Sequence, residues 1–152
     1  MTYFHLQTKN KTMVQIHPYL NFNGNTEEVF NFYKSVFGGE FKMLQRFGDM
    51  PGGDQMPEAD RNKIMHVNLP VGKGELMASD VLESQGYPKA EGNNISLSLM
   101  ADSKDEADRI FMGLSAGGVV EMPLQDTFWG AYFGMFSDKF GIRWMVNYDY
   151  PK

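Results

Sequence analysis

The 152-residue chain contains no cysteine, only 3 histidines and no long apolar run. The absence of cysteine excludes disulfides, thiolate nucleophiles and cysteine metal sites, and it fits the reducing cytoplasm, where we expect this protein to work. No apolar stretch is long enough to span a bilayer, so a membrane is not an expected partner. The net charge is −5 and the basic residues form no cluster, so nucleic acid is not an expected partner either.

Composition indicates one globular domain. Hydrophobic residues make up 42% of the chain and charged residues 22%, values typical of a folded protein with a real core. Residues 1–12 are polar and lack a periodic pattern, so we interpret them as an extension that is disordered or not native. Residues 13–152 are expected to form the single domain.

The chain repeats one pattern at a distance of about 78 residues, which is too long for a solenoid unit. Asn25-Thr26-Glu27-Glu28 and Ser103-Lys104-Asp105-Glu106 each place a capping residue three positions before a glutamate. An amphipathic segment follows each motif and ends at a glycine pair, Gly38-Gly39 or Gly117-Gly118. The repeat predicts two equivalent half-domains, each containing one helix.

Strand-like segments surround both predicted helices in the same order. The pattern predicts module one at 13–81, a linker at 82–93 and module two at 94–152, each reading strand, helix, strand, strand, strand. The expected fold class is α+β, with two pseudo-repeated βαβββ modules forming a curved mixed β-sheet that encloses a cleft. The alternative is that the sheets pack face to face without a cleft.

Aromatic residues are concentrated near the predicted seventh strand, at Phe128, Trp129, Tyr132, Phe133 and Phe136. Because side chains alternate along a strand, one face can line a cleft while the other packs beneath a helix. These residues favour an aromatic-walled pocket for a flat organic molecule. A core combined with a dimer interface explains the same pattern.

Several longer motifs carry a family resemblance. They are Phe32-Tyr33-Lys34-Ser35-Val36-Phe37-Gly38-Gly39, Asp126-Thr127-Phe128-Trp129-Gly130 and Asp138-Lys139-Phe140-Gly141-Ile142-Arg143-Trp144-Met145. With them the chain resembles the vicinal oxygen chelate superfamily, which includes glyoxalases, bleomycin-resistance proteins and extradiol dioxygenases. The match is closer to its PhnB-like branch.

The resemblance implies that metal-using relatives place ligands on the first, fourth, fifth and eighth strands, facing the cleft. Here His17 is the expected ligand on the first strand. The fourth strand offers only Leu76 or Ala78, the fifth offers Asn94 and the eighth offers Met145. A Zn²⁺ or Fe²⁺ ion needs converging imidazole and carboxylate groups, so we expect no built-in metal and no cofactor. A non-standard site of His17, His66 and Asp80 is the alternative.

The leading hypothesis is a small-molecule-binding protein with a metal-free cleft, whose activity as an enzyme stays undecided. A metal-dependent lyase, isomerase or dioxygenase is the second hypothesis, and a non-catalytic interaction module is the third. A homodimer is expected in each case, because small paired modules leave sheet edges exposed. The candidate ligand-binding residues are His17, Tyr19, Asn21, His66, Asp80, Asn94, Trp129, Phe133 and Met145. His17 and His66 have structural roles as their alternatives.

Overall fold

The computed structural model describes residues 14–152, so the expected extension at 1–12 lies outside the described residues. Within the described part, no helix is long and apolar enough to cross a bilayer. The helices are α1 (Thr26–Phe37), α2 (Glu58–Arg61) and α3 (Lys104–Ser115). The strands are β1 (Tyr19–Phe22), β2 (Met43–Arg46), β3 (Ile64–Val71), β4 (Gly74–Asp80), β5 (Ser96–Met100), β6 (Val119–Asp126), β7 (Ala131–Ser137) and β8 (Arg143–Asp149).

The strands form two four-stranded sheets with the same topology. Their orders are β1-β4-β3-β2 and β5-β8-β7-β6. In each sheet the first strand is parallel to its neighbour and the remaining pairs are antiparallel. The prediction of an α+β fold built from two βαβββ modules is therefore confirmed. The segment between β2 and β3 contains α2 and two short 3₁₀ turns.

The two main helices begin in different ways. Ser103 caps α3 as predicted, because its Oγ accepts a hydrogen bond of 3.0 Å from the Glu106 amide. Asn25 makes no side-chain capping bond, so that part of the prediction is wrong. Asp80 replaces it: its Oδ1 accepts from the Thr26 amide at 3.0 Å and from the Thr26 hydroxyl at 2.6 Å.

One core connects the two modules, because α1 and α3 contact each other as well as their own sheets. The helices approach closely at Gly113, where an added Cβ would lie 3.2 Å from both methyl carbons of Val36. Arg109 strengthens the contact by donating to the Val36 carbonyl at 2.7 Å. Each sheet thus turns one face towards the helices and leaves the other face open.

The open faces are defined by strand alternation and register. In the first sheet, Leu76, Ala78 and Asp80 are buried on the helix side, so the residues between them belong to the open side. We call the open side of the first sheet the module-one face; its residues include Tyr19, Asn21, Gln45, His66, Met77 and Ser79. We call the open side of the second sheet the module-two face; its residues include Ser98, Phe133, Met135, Met145 and Asn147.

Candidate functional site

The module-one face is polar and centred on an aromatic pair. The Tyr19 hydroxyl lies 3.1 Å from His66 Nδ1, and the two rings are 5.6 Å apart at 30°. On the same face, the Ser79 hydroxyl donates a long hydrogen bond of 3.5 Å to Asn21 Oδ1. Cross-strand pairing produces this grouping, since Tyr19 lies opposite Met77 and Asn21 opposite Ser79.

His17 precedes β1, and within the described residues no hydrogen bond or ring contact joins it to that pair. Its Nε2 is 3.1 Å from Gln15 Oε1, and its side chain is half-buried. The first strand was expected to include His17, but it begins at Tyr19, so His17 lies in an irregular segment. Of the two histidines predicted for the site, only His66 is held on the face by strand register.

Asp80 faces the opposite side of β4, where it is only 4% exposed. Its Oδ1 accepts from Gly24 and Thr26, and its Oδ2 accepts from the Ile64 amide at 2.7 Å. A carboxylate at a helix N-terminus stabilises the helix, because it satisfies amide donors and complements the helix dipole. Asp80 consequently supports the local fold, and its oxygens are occupied by the chain itself.

The module-two face is apolar and rich in thioethers. Met135 lies opposite Met145, and Phe133 lies opposite Asn147. The Trp129 ring extends this face, 6.1 Å from Phe133 in an edge-to-face contact. Aromatic and methionine side chains of this kind form adaptable surfaces for flat organic groups.

The hairpin tip before β7 presents its aromatic rings from a well-ordered turn. Phe128 is 98% exposed and Trp129 is 58% exposed. Thr127 closes the turn through its amide and hydroxyl, both bonded to Ala131, and Gly130 adopts a φ of 91°. These bonds fix the backbone of the turn, and the Trp129 ring also contacts Phe133 of β7.

A groove of about 960 Å³ lies between the two modules, beside β1 and the linker. Four of the predicted ligand residues line it: Tyr19, Asn21, Asp80 and Asn94. Its other lining residues include Tyr87, Ser79 and Arg143. Arg143 is engaged there, donating to Glu121 Oε2 at 2.8 Å and to the Asn93 carbonyl at 3.3 Å.

The nine predicted residues thus fall into separate places. Within residues 14–152, no hydrogen bond, ion pair or ring contact joins the module-one face to the module-two face or to Trp129. The two helices contact each other in the shared core, and each sheet leaves open the face turned away from its helix.

The residues do not fit a divalent metal of the kind that metal-using relatives bind. On β4 the open-side positions are Glu75, Met77 and Ser79. Leu76 and Ala78, the positions considered from sequence, are buried on the helix side. Glu75 is the carboxylate there, and hydrogen bonds from Lys42 and Asn68 lower the pKa of Glu75. In the described part of the chain, no three His, Asp or Glu side chains converge on a possible ion site. Amides, hydroxyls and thioethers are poor partners for Zn²⁺ or Fe²⁺.

Several residues of the two faces were missed from sequence. Gln45 pairs with His66, Ser79 with Asn21, and Met135 with Met145. Alternation along β4 was the available signal, because it places Ser79 and Asp80 on opposite faces. The choice between those faces depends on which side α1 covers.

Comparison with known proteins is consistent with this architecture. The model of the glyoxalase/bleomycin resistance protein/dioxygenase superfamily matches residues 15–146. Protein YjdN of Escherichia coli is 34% identical over 141 residues, covering 86% of this chain and 92% of YjdN. The crystal structure of PA1353 from Pseudomonas aeruginosa is 48% identical with a TM-score of 0.79, covering 90% of this chain and 98% of that one.

A further structural relative is the PhnB protein from Bacillus cereus. It is 25% identical with a TM-score of 0.69, covering 89% of this chain and 99% of PhnB. Sequence and fold therefore agree across both modules. The chain belongs to the glyoxalase/bleomycin resistance protein/dioxygenase superfamily, with PhnB and YjdN among its relatives.

Proposed function

We propose that the protein binds a small organic molecule, without a built-in metal, in a cleft shared between two copies of the chain. The observation that carries the proposal is the presence of two open sheet faces with complementary chemistry, one polar and one apolar. Neither face by itself encloses a ligand. A second copy supplies the missing wall of each.

A symmetric dimer would complete both faces of each chain. A two-fold axis that places the module-one face of one copy against the module-two face of its partner creates two identical clefts at once. The strands next to the cleft floor support such pairing, since β1 and β5 are edge strands of their sheets. Exposed edges and exposed rings such as Phe128 are features that association covers.

The chemistry of the two faces describes the ligand. Phe133, Met135 and Met145 provide an apolar wall, and Trp129 extends it. Tyr19, Asn21 and His66 provide hydrogen-bonding groups opposite that wall. A flat, largely apolar molecule with a few polar atoms fits this combination best. We retain the cytoplasm as the proposed location, on the basis of the cysteine-free composition.

The proposal is tested by screening untagged protein against a metabolite library, using thermal shift and native mass spectrometry. We expect at least one ligand to bind with two molecules per dimer. His66→Leu and Phe133→Ala should each weaken that ligand, because they alter the two walls separately. Met112→Ala is the control, since this side chain is 73% exposed on α3.

Two results would count against the proposal. The first is a strict monomer in light scattering at high protein concentration with ligand present. The second is a ligand whose affinity changes in neither wall variant. Ligand binding that appears only after addition of Zn²⁺, Ni²⁺, Mn²⁺ or Fe²⁺ would favour the metal-dependent alternative.

A further inference from the structure

The hydrogen bond between Tyr19 and His66 indicates which nitrogen of the His66 ring carries the proton. The hydroxyl oxygen and Nδ1 are 3.1 Å apart, so one of them donates a proton to the other. A phenol is a good donor, and an unprotonated imidazole nitrogen is a better acceptor than a phenol oxygen. Among residues 14–152, His66 is the only hydrogen-bond partner of the Tyr19 hydroxyl.

We propose that Tyr19 donates to His66 Nδ1 and thereby fixes the neutral imidazole as the tautomer with its proton on Nε2. His66 then presents an N–H donor to the module-one face, and this face takes a carbonyl oxygen of a neutral ligand. The inference rests on the proposed function for the ligand, but the tautomer itself is a property of one chain. Tyr19 acts here as a positioning residue.

Neighbouring amides extend the donor character of the face. Asn21 accepts from Ser79 through Oδ1, which leaves its amide N–H groups free to donate. Gln45 lies directly opposite His66 on β2 and is the third source of N–H groups. A carbonyl oxygen accepts up to two hydrogen bonds, so these three side chains carry more than enough N–H groups to satisfy one.

The charges around the pair favour a neutral carbonyl over a carboxylate. The nearby carboxylate of Glu75 forms an ion pair with Lys42 at 2.7 Å, so the Lys42 ammonium group already has a carboxylate partner. Arg46 extends to the other side of β2 and binds Glu27 of α1 at 2.6 Å. Asp80 faces the helix side of β4, and His17 contacts Gln15. No unpaired lysine or arginine in the described residues belongs to the module-one face, so a carboxylate lacks a counter-charge there.

The tautomer is measured by long-range ¹H–¹⁵N correlation spectra of protein labelled with ¹⁵N-histidine. The chain has 3 histidines, so His66→Gln assigns the signal. At a pH where the ring is neutral, we expect Nδ1 to show the unprotonated shift and Nε2 the protonated one. Tyr19→Phe should convert this pattern to a mixture of both tautomers. A proton on Nδ1 in the wild type, or an unchanged pattern in Tyr19→Phe, would overturn the assignment.

The ligand class is tested with acetophenone, a flat neutral ketone, against α-methylstyrene, a neutral molecule of the same shape in which a CH₂ group replaces the carbonyl oxygen. We expect acetophenone to shift the His66 Nε2 signal. We expect His66→Leu to weaken its binding about five-fold, the size of one neutral hydrogen bond. Equal binding of both probes, absence of acetophenone binding, or retained binding in His66→Leu would overturn the ligand class.

Failure of the proposed function would be visible separately. In that case the tautomer pattern would stand in the single chain, while Phe133→Ala would leave acetophenone binding unchanged. If the tautomer is wrong but the shared cleft is right, Phe133→Ala will weaken the probe and Tyr19→Phe will not. The two proposals therefore have distinguishable outcomes.

Discussion

The Tyr33 hydroxyl of α1 donates a hydrogen bond of 2.6 Å to Oδ2 of Asp138, in the turn between β7 and β8. Trp144 Nε1 donates to the same oxygen at 2.8 Å, and the amides of Phe140 and Ile142 bind Oδ1. A buried carboxylate of module two is thus satisfied partly by module one. Burial raises the pKa of the Tyr33 hydroxyl, with the Asp138 charge adding to the effect.

Tyr33→Phe should destabilise the whole chain. The substitution removes a charge-assisted bond from a buried carboxylate, so we expect a loss of about 2 kcal/mol in the free energy of unfolding. Urea denaturation measures it. Tyr150→Phe is the matched control, since its hydroxyl bonds Asp126 at the surface, and its effect should be clearly smaller. Equal effects of the two variants would contradict a special role for the bond between modules.

Asp80→Asn should destabilise the start of α1. Both carboxylate oxygens of Asp80 accept hydrogen bonds, one from Thr26 and the other from the Ile64 amide. In Asn, an NH₂ group replaces one of these oxygens, so one of the two donors loses its acceptor. We expect a loss of about 2 kcal/mol, in the range for leaving a buried donor unsatisfied. Asn25→Ala is the control and should have little effect, because Asn25 makes no capping bond. A larger loss of stability in Asn25→Ala than in Asp80→Asn would show that Asn25 caps the helix, as the sequence predicted.

The Tyr132 hydroxyl should ionise at a higher pH than an ordinary tyrosine. A hydrogen bond to Asp108, 2.5 Å long, raises the pKa of Tyr132 to about 12, with desolvation and the Asp108 charge contributing. Because the folded pKa lies above the unfolded one, the stabilisation is fully present below the ordinary tyrosine pKa and is lost as pH rises from there through the folded pKa of about 12. NMR titration of ¹³Cζ-labelled tyrosine measures the pKa. In Asp108→Asn the pKa of Tyr132 should fall, and an unchanged titration would show that the bond does not cause the shift.

Tryptophan fluorescence should report closure of the cleft. Trp144 is 2% exposed and Trp129 is 58% exposed, so only Trp129 is open to acrylamide. We expect quenching to decrease when protein concentration or ligand promotes pairing. In Trp129→Phe the remaining emission should be poorly quenched at every concentration. Quenching that stays independent of concentration and ligand would mean that Trp129 is not covered by a second copy.

Local patterns predicted the fold well because its two halves obey the same local rules. The spacing after Ser103 identified α3, and the glycine pair after Phe37 identified the end of α1, where Gly38 adopts a φ of 80°. The role of Asp80 was not predictable in this way. Its partners Gly24 and Thr26 lie 56 and 54 residues away in sequence, and only the parallel pairing of β1 with β4 brings them together.

The site was harder to predict because it depends on which sheet face remains open. Alternation correctly places Phe133 and Tyr132 on opposite sides of β7, but it does not say which of these two residues points towards the helices. The contact between α1 and α3 decides that question, and it depends on the small Gly113 beside Val36. An amphipathic helix has the same sequence pattern whether it packs on one sheet or also on another helix.

The shared cleft is tested most directly by mixing two variants that each have weakened ligand binding. His66→Leu damages one wall and Phe133→Ala the other, so a mixed dimer would contain one doubly damaged cleft and one intact cleft. After unfolding and refolding an equal mixture, we expect about one quarter of the sites to regain wild-type affinity for the screened ligand, since half the dimers are mixed. If both walls came from one chain, every site would carry a damaged wall. The mixture would then show no wild-type sites, and that result would contradict a cleft built by two copies.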